Sequence, residues 1–484
     1  MERAVIHALG LMIMVFSLAY AMPVAAALVY ADYPLLKDFL LAMGWTMIAG
    51  GALWFLARHR GAELSIRHGY LLVVAMWVAM PFVASLPFLM AMPDLSFTDA
   101  YFEAMSGLST TGATVFTGLD RLPPPIHIWR HELSWLGGMG IIVLAVAVMP
   151  LLGIGGRQLF RTETPGPMKE TRLAPRIAET VRNLWLAYLA ITLLCMASLK
   201  LSGMSWLDAV CHAFSAMGLS AFSTHDASIG HFNSPAIESV LMVFMLIAAM
   251  NFATHFLSWR RKSLKPYFAD VEVLSMLGLI FSSCAGIALF LWWKGVYPDF
   301  WAALRHAGFD VVSMATDCGL NNADFNGWPI FAPLWLLFLG CISASSGSAG
   351  GGIKMIRTLI LFKQAGREFI KLLHPSAVSP LKIGGQVIPN NVVFSVLGFI
   401  FLYFMSVAVL TFALLISGLD FVSAFSAVVA CINNAGPGLG AVGPAGSYLH
   451  LSDFQKWVCV FSMLIGRLEI FTVLILFTPH FWRR

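Results

Sequence analysis

Residues 104–114 read AMSGLSTTGAT, and the architecture of the chain hangs on them. The stretch is short, rich in Ser and Thr, closed by Gly112 and set between two long apolar segments. At membrane depth such a loop is costly unless it lines something wet, because hydrocarbon cannot satisfy its backbone. The frame recurs. Ser313 to Gly319 reads SMATDCG, Ala430 to Gly436 reads ACINNAG, and Ser215 to Ala221 reads SAMGLSA, with Ala where the others carry Gly. Each copy has an amphipathic lead-in and a small-residue turn. Four polar hairpins between apolar spans describe a pore with a four-part lining.

Working outward, the composition supports a membrane setting. Of 484 residues, 59% are hydrophobic and only 11% charged, with a mean hydropathy of +0.79. Soluble domains carry roughly 25% charged residues. The seven cysteines (195, 211, 284, 318, 341, 431 and 459) are scattered without metal-type spacing and read as free thiols. No basic run is dense enough for nucleic acid, so the net charge of +5 belongs to the loops of a membrane protein. There is no HExxH, no GxSxG and no glycine-rich phosphate loop, and His131-Glu132 lacks the second histidine of a zinc-protease helix. The chain does not read as an enzyme.

Stretches of about 20 apolar residues, enough to span, fall near 5–30, 38–57, 70–92, 127–150, 183–203, 237–259, 271–293, 330–357, 392–416 and 453–479. The first is longer than the roughly 7–15 residues of a signal-peptide core and is read as a retained helix. The predicted fold is therefore all-α, with ten transmembrane helices. The first two (1–62) stand alone. The last eight form four membrane–pore helix–membrane repeats at 63–156, 157–262, 263–372 and 373–484. Alternate loops hold most of the 30 lysines and arginines, while aspartates such as Asp94, Asp120, Asp226 and Asp324 collect opposite. The positive-inside rule then puts both termini in the cytoplasm. The repeats run parallel, unlike the inverted halves of many carriers.

Two departures from regularity point to gating. The eighth span is interrupted by GCISASSGSAGGGI at 340–353, too rich in Gly and Ser to hold a helix. We read it as a hydrated segment lining the cavity, with Ser345, Gly347, Gly350, Gly351, Gly352 and Lys354 as gating residues. The last span contains Arg467, a cation expensive in lipid and expected to face a polar path. Glu469, two residues on, does not share its face and is read as pairing with a basic residue of another helix.

The chemistry such loops suit is cation coordination. A dehydrated K⁺ needs several oxygens at once, and backbone carbonyls supply them without fixed charge. Glycine takes the unusual dihedrals this requires, and helix C-termini aimed at the site favour a cation. The expected ion-binding residues are Thr110, Thr111 and Gly112; Leu219, Ser220 and Ala221; Asp317, Cys318 and Gly319; and Asn434, Ala435 and Gly436. His212, His225 and Asp226 are read as bracing the second loop or lining the vestibule rather than as a metal site. Glu103 and Asp310 are read as shaping the pore entrances.

Several strings carry a family likeness: STTGAT at 109–114, HAFSAMGLSAFSTHDASIG at 212–230, SAGGGIK at 348–354, INNAGPGLGAVGP at 432–444 and GRLEIFTVLILFTPHFW at 466–482. With them the chain resembles the TrkH/KtrB/HKT superfamily of potassium transport proteins, its TrkH branch above all, nearly end to end. The resemblance implies potassium uptake across the bacterial inner membrane, with four repeats around one ion pathway and usually a homodimer. It implies an intramembrane gate at the Gly-rich segment, an arginine facing the pathway, matched by Arg467, and a cytosolic nucleotide-binding partner of the TrkA type.

The chain departs from the family at two places. Ala221 stands where the filter glycine is usual, and a left-handed backbone there would cost an alanine on the order of 1 kcal/mol. Asp317 and Cys318 replace a Thr-rich approach to the third glycine. In plant relatives a serine for one filter glycine goes with Na⁺ selectivity. Two alternatives therefore stand beside K⁺ uptake: less selective K⁺/Na⁺ transport, and proton- or sodium-coupled symport.

Overall fold

The computed structural model describes residues 2–57, 66–147 and 173–483. Among these the chain is helical almost throughout. Its strands are the small antiparallel pair Lys382–Ile383 and Gln386–Val387. By length and composition the described residues hold six helices able to cross a membrane, or up to eight if each of two bent pairs is one span. The six are Arg3–Val29, Tyr33–Leu56, Arg67–Ala91, Val181–Leu201, Val271–Trp293 and Asn390–Ile416. The last is apolar on every side, as a helix facing lipid or core must be. Outward-facing Leu193, Phe281, Phe401 and Phe412 are exposed, which suits a bilayer.

The expected regularity of the spans needs correction. The sixth breaks between Ala249 and Phe252 and bends by 97°; the tenth breaks after Arg467 and bends by 113°. Neither break holds a proline or glycine. At the first, Asn251 is extended and its side chain caps the next helix at the Ala253 N–H. At the second, Glu469 takes φ 60°, which no right-handed helix allows. The eighth span is a helix only over Phe331–Ile342; the chain resumes as Met355–Leu373. The fourth is the helix Pro124–Ala147, and the rest of that stretch lies outside the described residues, as do the boundaries expected at 62/63 and 156/157.

The core is split. Of its two large apolar clusters, one gathers the N-terminal helices with residues from about 70–133 and 399–473, and the other runs from Met139 to Met355; two smaller ones form around Ile360 and Val393 and around Ala26 and Cys211. Ala435 and Leu439 from the C-terminal part join the second cluster, and Ile353 from the middle joins the first. Each sits beside a Gly-rich turn, so the two halves are stitched where those turns meet.

Candidate ion pathway

Four short helices aim their C-terminal ends at one place: Phe97–Leu108, Trp206–Gly218, Phe300–Ala315 and Phe421–Asn433. Each starts in the same way. Ser96, Ser205, Asp299 and Asp420 accept a hydrogen bond from the backbone N–H three residues on. Such a cap satisfies one orphan donor and stabilises the helix by about 1 kcal/mol. The Ser423 N–H holds the Asp420 carboxyl below the usual carboxylate range. Burial alone would raise Asp208, but hydrogen bonds from His225, Thr224 and Ser205 outweigh it and lower the group.

Each helix also ends in the same way. Thr111, Ser220, Cys318 and Ala435 donate their N–H to the carbonyls of Ser106, Ser215, Ser313 and Ala430, at 2.8 to 3.0 Å. The residue before each lies in the left-handed region: Thr110 at φ 59°, Leu219 at 56°, Asp317 at 63° and Asn434 at 58°. For a residue with a Cβ this costs roughly 1–2 kcal/mol, so strain sits at four equivalent points. Gly112, Gly319 and Gly436 follow at φ 76°, 77° and 87°. Ala221 does not share the positive φ, so the expected penalty is avoided by leaving the glycine backbone altogether.

The turns close into a ring. A Cβ built on Gly112 would lie 2.1 Å from the Ala221 nitrogen, and one on Gly319 would lie 1.9 Å from the Ala435 carbonyl oxygen. The Cys318 thiol reaches the Ser220 carbonyl at 3.5 Å, and Asn434 Nδ2 donates to Thr111 Oγ1 at 3.0 Å. Every neighbouring pair of turns is thereby joined. The Ala221 methyl would lie within 2.6–2.8 Å of a Cβ on any of the three glycines, so it points into the middle of the ring. Above it opens a cavity of about 540 Å³ lined by Gly112, Ala221, Gly319 and Gly436 together.

Behind the ring lies a bracing layer, of which the sequence suggested only His212. Glu103, nine residues before Gly112, accepts the Val115 N–H at 3.0 Å and the Thr114 hydroxyl at 2.9 Å. Asp310, nine before Gly319, accepts the Asn322 N–H at 3.1 Å. Ser426 does the same for Leu439 at 2.8 Å, and His212, nine before Ala221, meets Ser223 Oγ at 3.0 Å. Arg130 ties the first arc to the second. Its Nε holds Glu103 at 2.7 Å, it donates to the Ser223 carbonyl at 3.3 Å, and its guanidinium lies 4.3 Å from the Phe222 ring centre. The residue types differ from arc to arc; Glu103, Asp310 and His212 share the nine-residue offset, whereas Ser426 stands ten before Gly436.

Beneath the ring the 343–354 segment is packed tightly. A Cβ on Gly351 would fall 2.0 Å from the Asn433 carbonyl oxygen, at the end of the fourth short helix. Ser345 and Ala349 donate to the carbonyls of Ala249 and Ala248, at the break in the sixth span. Gly347, at φ 74°, abuts the Asn251 side chain and accepts the Phe252 N–H. Lys354, itself at φ 75°, turns back to the Gly350 carbonyl. Gly352 follows suit at φ 72°. Arg467 is buried and donates to the Ala349 carbonyl at 2.8 Å and the Gly137 carbonyl at 2.7 Å, clamping the loop to a neighbouring helix. Glu469 pairs with Arg357 at 2.7 Å, the partner on another helix that its place suggested. Asp317 is wholly buried, and its carboxylate oxygens face Gly340 and Gly350 without a hydrogen bond of ordinary geometry.

The chain is similar end to end to known transport proteins. It is 43% identical to the Trk system potassium uptake protein TrkH of Escherichia coli K12 over 99% of both chains. It is 38% identical to TrkG of the same organism over 99% of both. The crystal structure of the potassium transporter TrkH from Vibrio parahaemolyticus superposes with a TM-score of 0.92 at 42% identity, covering all of both chains. The model of the TrkH family, described as cation transport protein, matches residues 36–484. The chain belongs to the TrkH family of cation transport proteins.

Proposed function

We propose that this chain takes up K⁺ across the bacterial inner membrane, as the pore-forming subunit of a larger complex. The observation that carries the reading is the closed ring of four turns, each at the C-terminal end of a short helix, opening on one vestibule. Each helix end carries about half a negative charge, and the ring has backbone oxygens from four arcs with which to replace an ion's hydration shell. The ion binds at the twelve residues from Thr110–Gly112, Leu219–Ala221, Asp317–Gly319 and Asn434–Gly436. It then passes the 343–354 loop, whose contacts with Arg467 and Lys354 hold the path shut until the loop moves. The relatives named as potassium uptake proteins support K⁺ as the cargo.

In this reading ten spans cross the membrane, both termini are cytoplasmic, two copies associate, and a cytosolic nucleotide-binding subunit of the TrkA type controls the loop. A second reading has an observation of its own. The Ala221 methyl narrows the ring and Asp317 adds a buried carboxylate beside it, a combination that favours less strict discrimination between K⁺ and Na⁺.

Ion flux into proteoliposomes under a set membrane potential separates these. K⁺ and Rb⁺ uptake well above Na⁺ is expected. Comparable Na⁺ uptake makes the protein a general monovalent cation transporter. No flux of any ion, with or without the regulatory subunit, refutes the pore.

A further inference from the structure

Beside the vestibule, the loops that follow the first and second arcs bring Asp120, His225 and His231 together, with one ligand atom from each within 4.8 Å of the others. His225 Nδ1 lies 2.5 Å from Asp120 Oδ1, and His231 Nδ1 lies 3.9 Å from the same oxygen. The two imidazoles are stacked, with centroids 3.6 Å apart. Two nitrogens and a carboxylate are the ligand set of a borderline divalent ion.

The second observation lies behind His225. Its other nitrogen, Nε2, is buried without a hydrogen bond of ordinary geometry and faces Asp208 Oδ1 at 3.4 Å. Asp208 is fixed in turn by the Thr224 hydroxyl at 2.6 Å and the Ser205 hydroxyl at 2.7 Å. Metal-binding histidines use this outer carboxylate to set the tautomer and point the free nitrogen at the ion. His212 shows the bracing role by contrast, with its ring between the Asp208 carbonyl and Ser223 Oγ.

Metal bonds of about 2.0–2.2 Å put tetrahedral ligands roughly 3.3–3.5 Å apart. The contact to His225 must open and the one to His231 close, and the stacked rings must splay. The side chains that do this, Asp120 and His231, are 46% and 47% exposed, so they turn without unpacking the core.

We propose that Asp120, His225 and His231 form an outward-facing site for a divalent transition-metal ion of the Zn²⁺ type, with Asp208 orienting His225 and water completing the shell. Of the three ligands His225 lines the vestibule, and its neighbour Asp226 does so too. An ion held there ties the first arc to the second and places positive charge where the cargo enters, so it slows uptake. The binding part stands by itself; the effect on uptake rests on the proposed function.

The test has two readouts on the purified full-length chain. Calorimetric Zn²⁺ titration, with Co²⁺ absorption to report the ligand set, is expected to find one site per chain. His231→Ala and Asp120→Asn should each weaken it at least tenfold, while His480→Ala, at the far end of the chain, should not. In proteoliposomes, external Zn²⁺ should lower Rb⁺ uptake several-fold, a chelator should restore it, and the ratio with and without Zn²⁺ should approach one in His231→Ala. Absence of Zn²⁺ binding, or binding unchanged in both variants, overturns the site. Binding without any change in uptake overturns its control of transport. A protein that carries no ion at all fails the proposed function, while the titration still decides the site.

Discussion

Ala221 shows what one methyl decides. The three glycines of the ring leave its centre free, and Ala221 alone sends a carbon into it. Ala221→Gly is expected to raise K⁺ and Rb⁺ flux and sharpen their preference over Na⁺, read as flux ratios in proteoliposomes; an unchanged ratio and rate would show the methyl to be idle. Gly112→Ala is the converse. The added carbon meets backbone at 2.1 Å on a residue at φ 76°, so flux should fall at least tenfold, equivalent to about 1.4 kcal/mol. Glu103→Gln leaves buried Arg130 without its counter-charge, a change that costs roughly 3–5 kcal/mol. It should show as a lower unfolding temperature in detergent, with Asp299→Asn, a conservative cap exchange, as the mild comparison. The turns themselves were legible in the sequence because polar, small residues stand out between apolar runs. Of the bracing layer only His212 was. Glutamate, histidine and aspartate share an offset but no residue type, and the partners of Arg130 become neighbours only when arcs one and two meet.

Among the elements, the broken helices say most. The breaks at Met250–Asn251 and Leu468–Glu469 carry no proline or glycine. Tertiary contacts gather at both: the 343–354 segment takes hydrogen bonds that a straight sixth span would keep for itself, and Arg467, the last residue of its helix, donates to two carbonyls. Sequence periodicity cannot see this, whereas the break in the eighth span is written in its glycines. Arg467→Ala removes two charge-assisted hydrogen bonds, each about 1.5–3 kcal/mol, from the loop and from Gly137. Flux should rise at normal expression; equal or lower flux would mean that the clamp does not hold the path closed.

At the scale of the molecule, the two large core clusters meet at the ring and the loop, so the loop is held by both halves at once. Shortening Ser345–Gly351 should raise basal uptake and lessen its dependence on a regulatory subunit; still-controlled, unchanged uptake in such a deletion would place control elsewhere. The membrane setting followed from composition, with 11% charge, and the all-helical class from apolar stretches of about 20 residues. What composition could not give is how the arcs differ, because each is read in the same frame.

That difference has a consequence for how the ring can vary. One polypeptide supplies all four quadrants, so a substitution alters a single quarter of the perimeter. A pore assembled from four identical chains changes on every side at once and tends toward all or nothing. Here each quadrant can differ by itself, as the alanine of the second and the carboxylate of the third differ from their counterparts in the ring. Ion preference is thereby open to adjustment in small, separately heritable steps.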